Sequence, residues 1–223
     1  MTDVAARRAA TAPRLRQETV KRALDITLAA ALFLVAGPVL LLLCCLVRLT
    51  STGPAFFRQE RVGRDMRPFT MLKLRSMYVG NDDRAHRAYV AGMLSAEKED
   101  DSARNGGLFK LVGDRRITPI GGWLRRTSLD ELPQLINVLR GEMSLVGPRP
   151  MLAWEAELLA EPHRRRFTVK PGMTGLWQVS GRSRLSMRTA LDLDVEYVRR
   201  RSAAVDLSIL ARTMPALFRG GAS

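Results

Sequence analysis

The stretch ITLAAALFLVAGPVLLLLCCLV, residues 26–47, contains no charged side chain and is apolar on every side of a helix. As a straight α-helix it would be about 33 Å long, which is enough to cross the hydrocarbon core of a bilayer. No small-residue cleavage site follows it, which argues against a secretory signal. A buried core helix is the alternative, but the length and the apolar character of the run favour a membrane helix.

The residues on both sides of this run indicate which side of the membrane its ends occupy. Six basic residues precede it: Arg7, Arg8, Arg14, Arg16, Lys21 and Arg22. The positive-inside rule keeps that end in the cytoplasm. The basic domain after the run carries motifs typical of nucleotide chemistry, described below, and therefore also needs the cytoplasm. Both ends can lie there only if the segment turns back within the membrane.

Gly37 and Pro38 lie near the centre of the run. Proline removes one helical hydrogen bond and clashes with the preceding turn, and glycine offers little resistance to bending. A re-entrant helix kinked at these residues satisfies both flanks, whereas a mild kink in an ordinary spanning helix is the alternative. We therefore predict a basic N-terminal segment over 1–20, loose until it meets the membrane, a re-entrant helix over 21–50, and a cytoplasmic domain over 51–223.

The composition restricts the class of partner. The chain of 223 residues has 36 Lys and Arg against 22 Asp and Glu, a net charge of +14, and this excess favours anionic partners. Cys44 and Cys45 are adjacent in the apolar run, so they form neither a C-x-x-C metal site nor a disulfide framework. The two histidines, His86 and His163, argue against a histidine zinc site. No helix-turn-helix pattern stands out, so we expect no nucleic acid among the partners.

The rest of the chain is predicted to form an α+β domain, mostly helical with a small β-hairpin. The hairpin covers residues 54–75, with a turn at Gly63-Arg64-Asp65. Loops are predicted at 141–150 and 171–182. Helices are predicted within 80–107, at 131–140, at 151–166, at 187–200 and at 205–218, the last being amphipathic and interrupted by Pro215.

The segment RRTSLDELPQ, residues 125–134, has two adjacent carboxylates, Asp130 and Glu131, at a predicted helix start. Backbone N–H groups and arginines bind phosphate at such a place, and carboxylates hold Mg²⁺. The alternative is structural, because Asp130 could be an N-cap, or Ser128 and Glu131 could form a capping box. The local sequence alone favours this alternative.

Two further segments are candidates for binding. In SLVGPRP, residues 144–150, prolines on both sides of Arg149 could fix the direction of its guanidinium for a phosphate, although a rigid surface turn explains them equally well. In KPGMTGLWQVSGR, residues 170–182, turn-forming and polar residues surround Trp177. An ordinary loop anchored by this tryptophan is the alternative.

Taken in order, the motifs KRALD, the apolar run with its proline, FTMLKLRSM, RRTSLDELPQLINVLRGEMSLVGPRP, VKPGMTGLWQVSGR and VDLSIL closely resemble the bacterial sugar transferase family. These are the monotopic phosphoglycosyl transferases that start exopolysaccharide, capsule, O-antigen and glycoprotein glycans. The resemblance covers residues 20–222, and it implies a re-entrant helix, amphipathic interface helices and a place on the cytoplasmic face of the bacterial inner membrane. Gly37 departs from the family, which often has serine before the kinking proline.

The resemblance also implies roles for single residues. Asp130 matches the nucleophile that forms a covalent aspartyl-phosphosugar, and Glu131 matches its partner, which holds Mg²⁺. The positions implied to bind the phosphate and the nucleotide are Lys73, Arg125, Arg149 and, at an acidic position of a late helix, Asp194.

The reaction implied moves a sugar-1-phosphate from a nucleotide-sugar, expected to be a UDP-hexose, to polyprenol (undecaprenol) phosphate and releases the nucleoside monophosphate. Membrane lipids are further expected partners, and a homodimer is left open. Two rival hypotheses are a non-enzymatic membrane-attached interaction protein and a membrane-tethered nucleic-acid binder.

Overall fold

The computed structural model describes residues 2–80, 84–95 and 114–219. The described part is mostly helical, as predicted, and contains two small β-sheets. The α-helices are α1 (Thr2–Thr50), α2 (Arg84–Ser95), α3 (Pro119–Thr127), α4 (Gln134–Arg140), α5 (Ala153–Glu157), α6 (Leu176–Ser180), α7 (Met187–Arg200) and α8 (Ala203–Arg219). The strands are β1 (Phe56–Val62), β2 (Pro68–Leu74), β3 (Ser144–Val146) and β4 (Gly172–Thr174). Short 3-10 helices cover Arg64–Met66, Leu129–Glu131, His163–Thr168 and Arg182–Arg184.

The predicted hairpin is confirmed. Strands β1 and β2 are antiparallel, with Phe56 opposite Leu74 and Val62 opposite Pro68. Helix α4 docks on β2 through the fully buried Asn137. The Asn137 amide accepts a hydrogen bond from Leu72 N at 3.0 Å and donates one to Thr70 O at 2.7 Å. Because a buried amide needs partners for both its ends, this pair of bonds fixes α4 against the strand.

A second, two-stranded sheet was not predicted from the sequence. Strands β3 and β4 are parallel and lie in segments that we had predicted to be loops, 141–150 and 171–182. Gly147 and Gly172 explain the pairing, because a Cβ atom on either would collide with the backbone of the other segment. Such a close backbone approach gives no signal in hydrophobic periodicity.

Two helix predictions are wrong. Residues 1–20 were expected to be loose, but α1 begins at Thr2, since Ala, Arg, Leu, Gln and Glu are good helix formers. Residues 151–166 were expected to form one helix, but α5 ends at Glu157 and a 3-10 helix follows. Pro162 accounts for the break, because it lacks an N–H and disfavours helix at the residue before it.

Within the predicted insertion at 80–107, the structure confirms a helix, α2. The predicted loop residues Asn105, Gly106 and Gly107 lie outside the described residues. Helices α3 and α7 begin at side-chain caps: Thr118 Oγ1 accepts from Gly121 N at 3.0 Å, and Ser186 Oγ accepts from Thr189 N at 3.1 Å. The predicted helix at 131–140 corresponds to α4.

Helix α1 is bound to the rest of the chain at both ends of its apolar run. Near the N-terminal end, Asp25 is buried and accepts hydrogen bonds from Ser144 Oγ at 3.0 Å and Leu145 N at 3.1 Å. At the C-terminal end, the buried Arg75 donates to Val47 O at 3.2 Å and to Ser51 O at 2.7 Å. A positive guanidinium is favourable at the negative end of a helix. Both ends of residues 26–47 therefore contact the same domain.

Between these ends, one face of α1 packs on the domain and the other is bare. The buried residues are spaced by 3, 4 or 11 positions, which places them on one face of the helix: Asp25, Ala29, Leu40, Leu43 and Val47. On the opposite face, Leu34 and Leu49 are each 82% exposed. An exposed apolar face of this length marks contact with a membrane or another protein, and Gln17–Thr50 is long and apolar enough to cross a bilayer. The helix continues through Gly37 and Pro38, and the re-entrant path stays a prediction.

Candidate active site

A sharp turn after α3 presents the two adjacent carboxylates. Ser128 adopts a left-handed conformation, with φ of 58°, and ends the helix. Leu129 and Leu132 then pack against the cluster that contains Leu40 and Leu43 of α1. Between these two leucines, Asp130 is buried. The turn is thus held by α1 on one side while its carboxylates line a cavity on the other.

The capping interpretation of these carboxylates is wrong. The N-cap position of α4 is Pro133, and no side chain caps that helix. Ser128 makes no capping bond to the 3-10 helix that contains Asp130 and Glu131. Its hydroxyl instead accepts a hydrogen bond from Arg182 Nη2 at 2.8 Å. The two carboxylates therefore have no role in ending or starting a helix.

Three of the predicted site residues meet at Glu131. Lys73 Nζ, on β2, lies 2.9 Å from Glu131 Oε1 and 4.0 Å from Asp130 Oδ2. Arg149 Nη1, from the loop after β3, lies 3.5 Å from the same Glu131 oxygen. Residues far apart in the sequence thus surround the carboxylate pair with positive charge.

The surroundings push the pKa values of the two carboxyls apart. Burial raises the pKa of Asp130 above its usual range, against the attraction of Lys73, and repulsion from Glu131 adds to the rise. Burial also acts to raise the pKa of Glu131, but the charges of Lys73 and Arg149 and the hydrogen bond from Lys73 outweigh it and lower that pKa to about 2. Glu131 is therefore ionised at neutral pH, and Asp130 is the more basic carboxylate of the pair.

The cavity beside the pair has a volume of about 500 Å³. Nine lysine and arginine side chains and five carboxylates line it, an excess of cations that suits a ligand with several phosphate charges. Arg125 is one of these cations, and its charge lowers the pKa of Asp130. Within the described residues, Arg125 forms no ion pair, whereas Lys73 and Arg149 already contact Glu131.

Asp194, the remaining predicted site residue, lines the cavity but is bound to another side chain. Its Oδ2 lies 2.6 Å from Arg166 Nη2 in a fully buried ion pair. Burial raises the pKa of Asp194 to about 6, against the charge of Arg166. The same Arg166 nitrogen donates to the backbone oxygen of Arg149 at 2.7 Å. In this structure Asp194 holds Arg166, which in turn holds the loop that presents Arg149.

Sequence reasoning missed both Arg166 and Arg182. Arg166 belongs to a run of three arginines, of which Arg164 and Arg165 are exposed, so the run resembles an ordinary basic surface. Arg182 follows Gly181 and has a left-handed backbone, with φ of 54°. Left-handed residues other than glycine cost of order 1–3 kcal/mol each and cluster at functional sites. Ser128 and Arg182 are two such residues, and they are hydrogen-bonded to each other. Ser128 lies two residues before Asp130.

We expect the Ser128–Arg182 hydrogen bond to be energetically coupled. In a double-mutant cycle with Ser128→Ala, Arg182→Gln and the double variant, the unfolding free energies should show a coupling of about 1 to 3 kcal/mol, as for a half-buried bond to a charged group. The exposed pair Glu196 and Arg200, 2.6 Å apart, is the control and should couple by less than about 0.5 kcal/mol. Equal coupling in both cycles would show that the bond does not hold the turn.

Comparison with known proteins identifies the family. The family model for bacterial sugar transferases matches residues 16–220. Exopolysaccharide production protein ExoY of Sinorhizobium fredii is 39% identical over 197 residues, which are 88% of this chain and 84% of that protein.

Two further relatives carry names that specify a reaction. The UDP-glucose:undecaprenyl-phosphate glucose-1-phosphate transferase of Caulobacter vibrioides is 37% identical over 214 residues, 92% of this chain and 72% of that protein. The undecaprenyl-phosphate galactose phosphotransferase of Salmonella typhimurium is 40% identical over 202 residues, 90% of this chain but only 40% of that protein. The family match covers most of the chain, and this protein therefore belongs to the bacterial sugar transferase family.

Proposed function

We propose that this protein transfers a hexose-1-phosphate from a UDP-hexose to undecaprenyl phosphate and releases UMP, as the first membrane step of exopolysaccharide or related glycan assembly. The observation that carries the proposal is the buried Asp130 beside an ionised Glu131, with Lys73 and Arg149 around them in a cation-rich cavity. The names of the Caulobacter and Salmonella relatives supply the donor, the acceptor and the phosphate that moves.

In the first step, a carboxylate oxygen of Asp130 attacks the phosphorus that carries the sugar. The bond from this phosphorus to the oxygen bridging the two phosphates breaks, and UMP leaves with the electron pair. Asp130 suits this role because its surroundings make it the more basic of the two carboxylates. Lys73 and Arg125 lower the charge repulsion between the carboxylate and the diphosphate.

In the second step, an oxygen of undecaprenyl phosphate attacks the same phosphorus and displaces the Asp130 carboxylate. The product is undecaprenyl diphosphate sugar, and the enzyme returns to its starting state without net proton transfer. The acceptor phosphate is an anion at neutral pH, so it needs little help from a base. Covalent catalysis also means that a soluble and a lipid substrate need not be bound at once.

The residues present fit a Mg²⁺ ion, which the family resemblance implies. Among the described residues, no group of three metal-ligating side chains is found, but Mg²⁺ is commonly held by one or two carboxylates together with substrate phosphates. Glu131 is ionised, and its Oε2 accepts no hydrogen bond from the described residues, since Lys73 and Arg149 both contact Oε1. Glu131 would hold the ion, which supplies charge neutralisation at the diphosphate when bound.

The proposed place is the cytoplasmic face of the inner membrane, with residues 26–47 as a re-entrant helix. Contacts of Asp25 and Val47 with the same domain support it, because a straight span would carry one of these ends across the bilayer. The leucines beside Asp130 pack on α1. The carboxylates thus lie close to the membrane segment, where a lipid acceptor can reach them.

A covalent intermediate predicts that UMP appears in a stoichiometric burst when enzyme and UDP-hexose are mixed without undecaprenyl phosphate. Intact-mass measurement should show one added sugar phosphate, and peptide mapping should place it on Asp130. Asp130→Asn should lose both signals, whereas Arg149→Gln should slow the burst by about 10²-fold or more and keep the adduct, because it removes a stabilising charge and not the nucleophile. UMP release that strictly requires the lipid acceptor would contradict the covalent role of Asp130.

Metal dependence is expected to centre on Glu131. Chelation should abolish turnover and added Mg²⁺ should restore it. Glu131→Gln should raise the Mg²⁺ concentration needed for half-maximal rate, because the ion loses an anionic ligand. The exposed carboxylate of Glu157 on α5 offers a control, and Glu157→Gln should leave this concentration unchanged. Full activity in excess chelator would contradict the proposed role of Mg²⁺.

Both ends of the apolar run are expected in the cytoplasm. Single cysteines at Thr11 and Thr52, in a background without Cys44 and Cys45, should both resist an impermeant thiol reagent in intact cells. Pro38→Ala should shift the population toward a true span by restoring a straight helix. Labelling of one end only in the otherwise unchanged protein would mean that the helix spans the membrane.

A further inference from the structure

A second cluster of positive charge lies outside the cavity, beside the part of α1 that directly precedes the apolar run. Arg22, one turn before Ile26, donates to the backbone oxygens of Val138 at 2.6 Å and Leu139 at 2.8 Å, near the end of α4. Lys170, before β4, is directed toward the same place. Neither side chain lines the cavity beside Asp130.

Gly141 shows how close the two cations are. It ends α4 in a left-handed conformation with φ of 85°. A Cβ atom there would lie 3.3 Å from Arg22 Nη2 and 3.5 Å from Lys170 Nζ. The absence of a side chain at Gly141 therefore leaves a space that both cations border. A side chain would be strained at this φ and would also crowd both groups.

Among the described residues, no carboxylate forms an ion pair with Arg22 or Lys170, although the charges of Asp25 and Glu18 act on Lys170 from farther away. The nearby Asp25 binds Ser144 and Leu145 and faces Lys21 at 3.7 Å. Glu18 is engaged by Arg64 at 3.3 Å and by Arg201 at 2.7 Å.

Within the described residues, Lys170 has no hydrogen bond or ion pair, and Arg22 meets only carbonyl oxygens. Burial, together with repulsion from Arg22, lowers the pKa of Lys170 against the attraction of Asp25. An anion between the two groups would relieve that repulsion.

The position of Arg22 on α1 indicates the source of such an anion. Arg22 precedes Ile26, the first residue of the apolar run, by four residues, or about 6 Å of helix. The headgroup layer on each side of a bilayer is about 5 to 8 Å thick. If the apolar run lies in the hydrocarbon, as the proposed function requires, the pair lies at the depth of the lipid phosphates.

We infer that Arg22 and Lys170 form a binding site for a phosphate group, supplied by the headgroup of an anionic membrane lipid. The site is separate from the catalytic cavity, and it would fix the depth at which α1 enters the membrane. Arg22 gives two N–H groups already oriented by the end of α4, and Lys170 adds a flexible point charge.

The test measures lipid binding and does not depend on turnover. Purified protein in mixed micelles is titrated with phosphatidylglycerol, or with phosphatidylcholine of the same chains, and bound lipid is counted by native mass spectrometry while the unfolding temperature is recorded. Phosphatidylglycerol should raise the unfolding temperature and remain bound. Lys170→Gln should weaken its apparent affinity about fivefold, as expected for one cation near a charged headgroup.

Two variants separate a local site from a general loss of charge. Lys170→Arg should bind as the unchanged protein does, because it keeps the cation. Arg188→Gln removes an exposed arginine on α7 and should leave phosphatidylglycerol binding intact. If Lys170→Gln and Arg188→Gln behave alike, the site does not exist.

A further arm replaces the lipid by inorganic phosphate. If inorganic phosphate protects the protein as well as phosphatidylglycerol does, and Lys170→Gln abolishes both effects, the lipid is overturned as the source of the phosphate. The UMP burst from UDP-hexose does not depend on this lipid site. A negative result in the lipid-binding test would therefore not contradict the proposed transfer reaction.

Discussion

The fold depends on hydrogen bonds that hold α1 to the same domain at both ends of its apolar run. The buried carboxylate of Asp25 binds β3 near the first residue of the apolar run, and Arg75 binds the backbone oxygens at the last. Between these points, one face of the helix packs on the domain and the opposite face is exposed. The turn that presents Asp130 in the candidate site rests on the covered face, because Leu129 and Leu132, which bracket Asp130, pack against it.

In the candidate site, the adjacent carboxyl groups of Asp130 and Glu131 are both largely shielded from water. Burial acts to raise the pKa of both carboxyls, but the charges of Lys73 and Arg149 outweigh it at Glu131, whereas burial prevails at Asp130. The buried pair of Asp194 and Arg166 extends this arrangement outward, since it secures the backbone of Arg149.

Much of this arrangement could be predicted, and the reasons are physical. The hairpin, α4 and α7 follow from alternation, caps and helical periodicity, which are local properties of the chain. The motif around Asp130 was recognisable, but local sequence favoured a capping role, and only the Arg182 contact to Ser128 shows how that turn is held. Burial of Arg166 beside exposed neighbours, and the pairing of β3 with β4, depend on contacts between distant segments. No local pattern encodes such contacts.

The contact between Gly147 and Gly172 has a consequence for protein engineering. The segments that contain these glycines carry Arg149 on one side and Trp177 on the other, and both residues line the cavity. Because the two backbones touch without intervening side chains, neither segment can shift unless the other moves with it. Chimaeras that seek a new donor specificity should therefore exchange residues 144–150 and 170–178 as a single block, although more than twenty residues of chain separate their starting points.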